Sequence, residues 1–147
     1  MAALQRLESA GVAILRRSAW YTSAPVPASD QPWFINAVAQ IATSLAPEPL
    51  LALLHNIEVD FGRERSVLNA ARTLDLDLLA YDTVIQEGKA PVLPHPRMHE
   101  RAFVLAPLAE IAPDWRHPRL KLTSQDLLSR LPAGQMVTIL EGAAHSP

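Results

Sequence analysis

The chain has 147 residues, a net charge of −2 and no cysteine. That length suits one domain with a substantial core, and that charge leaves no footprint for nucleic acid. Without thiols there is neither a disulfide framework nor a thiolate metal site, and no apolar run approaches the roughly 20 residues that span a bilayer.

In chain order, Leu4 and Leu7 at helical spacing predict a helix over residues 2–10, with Gly11 as its stop. The first 17 residues carry Arg6, Arg16 and Arg17, but also Glu8 and no apolar core of signal type. They read as domain rather than as a targeting peptide, and the protein as cytoplasmic. Residues 12–21 read as a strand and 23–32 as a proline-rich loop. Residues 34–45 are ambiguous by periodicity. Residues 47–61 form the clearest helix, with Pro47 and Pro49 near its first turn, a stripe of Leu50, Leu51, Leu54 and Ile57, and Gly62 as a cap. A loop over 63–71 leads to a strand over 74–81, and most of 84–97 is loop. Residues 97–111 are partly helical, with Pro107 bending or ending the helix. Ser124 opens a short helix carrying Leu127, Leu128 and Leu131, with Asp126 favourable in its first turn. Residues 136–140 form a last strand. No repeat or linker interrupts this series, which predicts an α+β sandwich, an antiparallel sheet covered by helices, as one domain over 1–147.

The octet Arg72-Thr73-Leu74-Asp75-Leu76-Asp77-Leu78-Leu79 is the most informative stretch. Its two-residue period puts Asp75 and Asp77 on one face and Leu74, Leu76 and Leu78 on the other. Two adjacent carboxylates repel, and a hard divalent cation such as magnesium removes that cost. The plainer reading is the solvated face of a half-exposed strand, which the octet alone favours. Arg63, Arg65, Arg72, Arg97 and Arg101 gather around the acidic pair in sequence and suggest a local polyphosphate site.

The surroundings change that balance. Ile57-Glu58-Val59-Asp60-Phe61-Gly62-Arg63-Glu64-Arg65 lies upstream, Leu93-Pro94-His95-Pro96-Arg97 and Arg101-Ala102-Phe103 lie downstream, and Asp30-Gln31-Pro32 with Phe34-Ile35-Asn36 lies nearer the start. In this order and spacing, from about Leu4 to Trp115, the chain closely resembles the 6-hydroxymethyl-7,8-dihydropterin pyrophosphokinases of folate biosynthesis. The resemblance implies a ferredoxin-like fold, with residues 34–45 as a strand. It also implies transfer of pyrophosphate from ATP to the pterin hydroxymethyl group, with release of AMP. Asp75 and Asp77 would hold two magnesium ions. Arg63, Arg65, Arg72 and Arg101 would face ATP, together with Glu58, Leu78 and His95, and Arg63 and Arg72 would serve the transfer itself. Phe34 and Phe103 would stack the pterin, Asn36 would read its edge, and Ser23, Ala24 and Val26 would line the pocket. The expected partners are ATP and the pterin, with no nucleic acid and no membrane.

Two features depart from the family. Its members begin with a strand ending in Gly-Ser-Asn-Leu-Gly, whereas this chain starts inside the following helix at Met1-Ala2-Ala3-Leu4. It is therefore expected to be N-terminally truncated relative to the family and to lack a central strand. The family loop Arg-Trp-Gly-Pro-Arg is replaced by Asn69-Ala70-Ala71-Arg72, so a flexible arginine and tryptophan have no counterpart. These departures leave open an alternative, a non-enzymatic or catalytically impaired remnant of the family that binds pterin or nucleotide. An unrelated metal-dependent nucleotidyltransferase using the Asp-x-Asp pair would not explain Phe34, Asn36 and Phe103.

Overall fold

A computed structural model describes residues 2–23, 34–65 and 75–140, apart from the side chains of Phe34 and of residues 63–65. The chain divides into two compact units, residues 1–13 with 43–95 and residues 14–42 with 96–147. A run of short strands is followed by a run of helices, so the architecture is α+β. No described helix is long and apolar enough to cross a membrane.

In the first unit, helix α1 (Ala2–Ser9) buries Ala3 and Leu7, one turn apart. It ends at Gly11, where φ is +91°. The Gly11 N–H bonds the Glu8 carbonyl and the Val12 N–H bonds the Leu7 carbonyl, both at 3.0 Å. This is a Schellman ending, and the apolar pair that accompanies it, Leu7 and Val12, is buried. Helix α2 (Pro47–Arg65) buries Leu50, Leu54 and Ile57 on one stripe, while Leu51 is half-buried beside it. The expected stop at Gly62 does not occur, because α2 runs through Gly62 for three more residues. A glycine ends a helix only where the chain turns left-handed at it; elsewhere it is a tolerated interior residue. Arg6 on α1 pairs with Asp60 on α2 at 2.6 Å. The loop after α2 folds back through a bridge between Gln86 and Leu93. Lys89 in that loop reaches Glu48 in the first turn of α2 at 2.9 Å and holds the Glu48 carboxyl below its ordinary range.

The predicted strand over 74–81 is not one. Residues 75–81 belong to no ladder among the described residues. The Leu76 N–H goes to the Glu58 carboxylate instead, and the Leu79 carbonyl accepts the His95 N–H. Alternation is a side-chain property, and it becomes a strand only where a neighbour offers backbone partners. The two faces nevertheless separate as expected: Asp75 and Asp77 are exposed, Leu76 and Leu78 half-buried.

In the second unit, the strand expected over 12–21 is broken in two, β1 (Ala13–Arg17) and β2 (Tyr21–Ser23). The break has a hydrogen-bonding cause. The Ser18 N–H donates to the Val38 carbonyl at 2.8 Å while the Ser18 hydroxyl accepts the Val38 N–H at 2.9 Å. The next N–H, of Ala19, turns to the Glu110 carboxylate at 3.1 and 3.2 Å. Residues 34–42 form two strands, β3 (Phe34–Asn36) and β4 (Ala39–Ala42). Strand β4 pairs with β1, and β2 lies between β3 and β5 (Val137–Ile139), antiparallel to both.

A 3₁₀ turn (Met98–Glu100) leads into α3 (Ala102–Ile111). Pro107 sits inside α3 without ending it. It removes only the bond to the Phe103 carbonyl, and the ladder resumes with Ala112 N–H to the Leu108 carbonyl at 2.8 Å. Helix α4 (Ser124–Ser129) begins as predicted. Thr123 caps it, its hydroxyl accepting the Asp126 N–H at 3.1 Å. Helix α3 packs on β2, β4, β5 and α4. Met98, Val104, Leu105, Ile111 and Leu127 are buried in this unit.

Candidate active site

The acidic pair is placed by α2. Burial of Leu50, Leu54 and Ile57 fixes the rotation of the helix. The next residue, Glu58, is half-buried, and its Oε2 accepts the Leu76 N–H at 2.6 Å. Leu76 stands between Asp75 and Asp77, so this bond pins the acidic segment at its centre. Three residues on, the Leu79 carbonyl accepts the His95 N–H at 2.7 Å. The histidine is thereby tied by its backbone to the segment that carries the aspartates. Pro94 and Pro96 on either side limit its backbone to extended forms. Sequence alone suggested Glu58 as a nucleotide contact or an exposed helix acid; the structure shows it bonded to backbone. Leu78 is half-buried on the face opposite the aspartates.

The donor chemistry of Asp75 and Asp77 fits magnesium. Both are exposed hard-oxygen donors, and magnesium commonly takes one or two carboxylates and completes its shell with phosphate oxygens and water. No group of three or more acids, histidines or cysteines that could hold a metal occurs among the described residues.

The residues expected to hold the pterin lie in the second unit. Tyr21 pairs with Asn36, and Ser23 with Phe34, across β2 and β3. The two-residue period puts Tyr21, Ser23 and Asn36 on one face. That face looks toward α3, because the Tyr21 hydroxyl donates to Glu110 Oε1 at 2.7 Å. Burial, and then the hydrogen bond to the Glu110 carboxylate, push the Tyr21 phenol well above its ordinary range. Phe103 stands seven residues before Glu110, close to two turns, and so shares its stripe of α3. Ser23 is buried, and its hydroxyl has no hydrogen-bond partner among the described residues.

Arg101 precedes the first residue of α3, and its guanidinium lies 5.4 Å from the centre of the half-buried Phe103 ring. This is a cation–π distance. It joins one residue expected to face ATP with one expected to stack the pterin. Arg63 and Arg65 have their backbones in the last turn of α2, and Phe34 has its backbone in β3; their side chains lie outside the described set. Ala24, Val26 and Arg72 also lie outside the described residues.

Two residues that tie this region together carried no signal in the sequence. Glu110 collects the Ala19 N–H and the Tyr21 hydroxyl, and Gln135 bonds the backbone at Glu100 and Ala102. Their partners are backbone groups or distant in sequence, and no motif or periodicity marks such bonds.

Comparison with known proteins gives these features their context. The profile of the 7,8-dihydro-6-hydroxymethylpterin-pyrophosphokinase family matches residues 1–113. The chain is 45% identical over 104 residues to the 2-amino-4-hydroxy-6-hydroxymethyldihydropteridine pyrophosphokinase of Methylorubrum extorquens, covering 71% of this chain and 66% of that protein. It is also 45% identical over 104 residues to the same-named protein of Bacillus subtilis, covering 71% of this chain and 62% of the relative. Against the folic acid synthesis protein fol1 of Pneumocystis carinii it is 40% identical over 116 residues, 79% of this chain and 16% of the relative. The matched stretch thus spans less than two thirds of the own length of each of these three relatives. The chain belongs to the 7,8-dihydro-6-hydroxymethylpterin-pyrophosphokinase family.

Proposed function

We propose that the chain transfers pyrophosphate from ATP to 6-hydroxymethyl-7,8-dihydropterin in folate biosynthesis. The pterin hydroxymethyl oxygen attacks the β-phosphorus, the bond from that phosphorus to the α-bridging oxygen breaks, AMP leaves, and the hydroxyl proton passes to solvent. Such a reaction rests on positioning and charge neutralisation more than on covalent help. Asp75 and Asp77 would hold magnesium, two ions by the family resemblance, which supplies neutralisation of phosphate charge when bound. Glu58 acts on this pair through the backbone. Arg63, Arg65, Arg72 and Arg101, with Leu78 and His95, would receive ATP. Ser23, Ala24, Val26, Phe34, Asn36 and Phe103 would receive the pterin. The family profile runs through both units, which supports a single pyrophosphokinase domain, and the α+β architecture is compatible with the ferredoxin-like arrangement. The reaction would run in the cytoplasm without nucleic acid or membrane.

The observation that carries this reading is the exposed Asp75 and Asp77 pair on a segment bonded to Glu58 and His95, in a chain of this family. Incubation with ATP, magnesium and the pterin, followed by chromatography, tests it. The expected products are AMP and the pyrophosphorylated pterin in equal amounts. Release of ADP, or no AMP above a pterin-free control, would overturn it.

A further inference from the structure

We propose that Gln135 is a positioning residue for Arg101, its amide gripping the backbone on both sides of the arginine. The inference rests on the proposed role of Arg101 toward ATP. Gln135 Nε2 donates to the Glu100 carbonyl at 2.9 Å, and its Oε1 accepts the Ala102 N–H at 2.8 Å. The two backbone groups flank Arg101, so one side chain holds the residue before it and the residue after it. An amide side chain donates from its nitrogen and accepts at its oxygen, so it can serve both groups at once.

The grip answers a local need. Ala102 is the first residue of α3, and its N–H has no carbonyl partner within the helix. Arg101 precedes it with φ −117° and ψ 113° and makes no side-chain cap bond. Gln135 supplies the missing acceptor, fixes Arg101 in an extended conformation, and leaves the guanidinium to lie 5.4 Å from the Phe103 ring centre. Gln135 is itself held close to the sheet, two residues before Val137, which pairs with Ser23. It lies beyond residues 1–113, the stretch matched by the family.

A double-mutant cycle on the full chain tests the proposal. ATP affinity is measured by titration calorimetry with magnesium and no pterin, so that no turnover occurs, for wild type, R101A, Q135E and R101A/Q135E. Glutamate keeps the acceptor for Ala102 but turns an oxygen toward the Glu100 carbonyl. Q135E and R101A should each weaken ATP binding about tenfold, the size of a charged hydrogen bond lost or misdirected. In the R101A background, Q135E should add almost nothing. Equal weakening by Q135E in both backgrounds, or a lowered melting temperature with unchanged ATP affinity, would overturn the proposal and leave Gln135 a structural residue. If R101A binds ATP like wild type, the role of Arg101 falls first and the positioning role with it. Q135A serves where Q135E does not fold, and carries the same expectations.

Discussion

The Glu58 carboxylate accepts the N–H of Leu76 at 2.6 Å, directly between the two aspartates of the acidic segment. A helix surface acid thus does for this segment what a strand partner would have done. It satisfies one backbone donor and fixes the direction in which Asp75 and Asp77 leave the chain. The bond is charge-assisted, which makes it one of the stronger kinds.

Glu58→Ala leaves that half-buried N–H without its acceptor, at about 1–3 kcal/mol. Expressed in the transition state, each ~1.4 kcal/mol is tenfold in rate. AMP formation should fall and the magnesium concentration for half-maximal rate should rise. Glu58→Gln, whose amide oxygen still accepts, should restore most of both. An alanine variant that matches wild type in rate and magnesium dependence would remove Glu58 from the site. One that loses ATP affinity while keeping its magnesium dependence would return it to the role of a nucleotide contact.

The two glycines near helix ends should respond in opposite directions. Gly11 has φ +91°, and Gly62 is helical; a Cβ at either meets nothing within 4 Å. Backbone conformation is then the main term. Gly11→Ala should lower stability by about 1–2 kcal/mol, the penalty for an L-residue in the left-handed region. Gly62→Ala should raise it by up to about 1 kcal/mol. Thermal melting of the two variants beside wild type checks the pair, and a stabilised Gly11→Ala or a clearly destabilised Gly62→Ala would contradict the helix ends described above.

His117 should make the fold acid-sensitive. The residue is 3% exposed, and its Nδ1 accepts the N–H groups of Arg119 and Leu120 at 3.2 and 3.1 Å. Those bonds require an unprotonated Nδ1. Burial, and then the neighbouring His99, lower its pKa below the ordinary value of 6.5. The ring of His99 lies 5.8 Å from it and that of Trp115 5.8 Å on another side, with Glu100 4.0 Å from His99. Because the folded state binds the proton more weakly than the unfolded chain, this contribution is complete above about pH 6.5 and is lost as pH falls through the lowered value. Melting temperature between pH 8 and pH 5 should drop more steeply in wild type than in His117→Asn, whose amide oxygen replaces the acceptor without titrating there. Parallel curves would show that His117 carries none of the slope.

Much of this organisation was legible in the residues, for identifiable reasons. The stop of α1 at Gly11 followed from a glycine placed where a left-handed turn was needed, and the buried face of α2 from the spacing of Leu50, Leu54 and Ile57. The opposite faces of Asp75 and Leu76 followed from alternation. What alternation cannot report is the identity of the backbone partner, so the segment over 75–81 was expected to be a strand and is instead held by Glu58 and His95. The break at Ser18 was hidden similarly, because it depends on a serine hydroxyl and on a carboxylate 91 residues away. Gln135 had no local signature, since its partners are a carbonyl and an N–H in another segment. Among the described residues, the expected site residues lie on α2, the acidic segment and His95, or on β2, β3, Arg101 and α3; they were named by motif rather than by periodicity.

The most direct measurement is AMP release by Asp75→Asn and Asp77→Asn beside wild type, at matched magnesium, with pterin affinity measured on the same preparations. Each substitution keeps size and removes the charge that would hold the metal, so the loss should be felt where phosphate charge develops. The account predicts that both variants lose AMP release by at least about 100-fold, ~2.7 kcal/mol, while pterin affinity stays within about twofold, below ~0.5 kcal/mol. AMP release close to wild type in either variant would contradict it, and would leave the acidic pair as the solvated face of its segment.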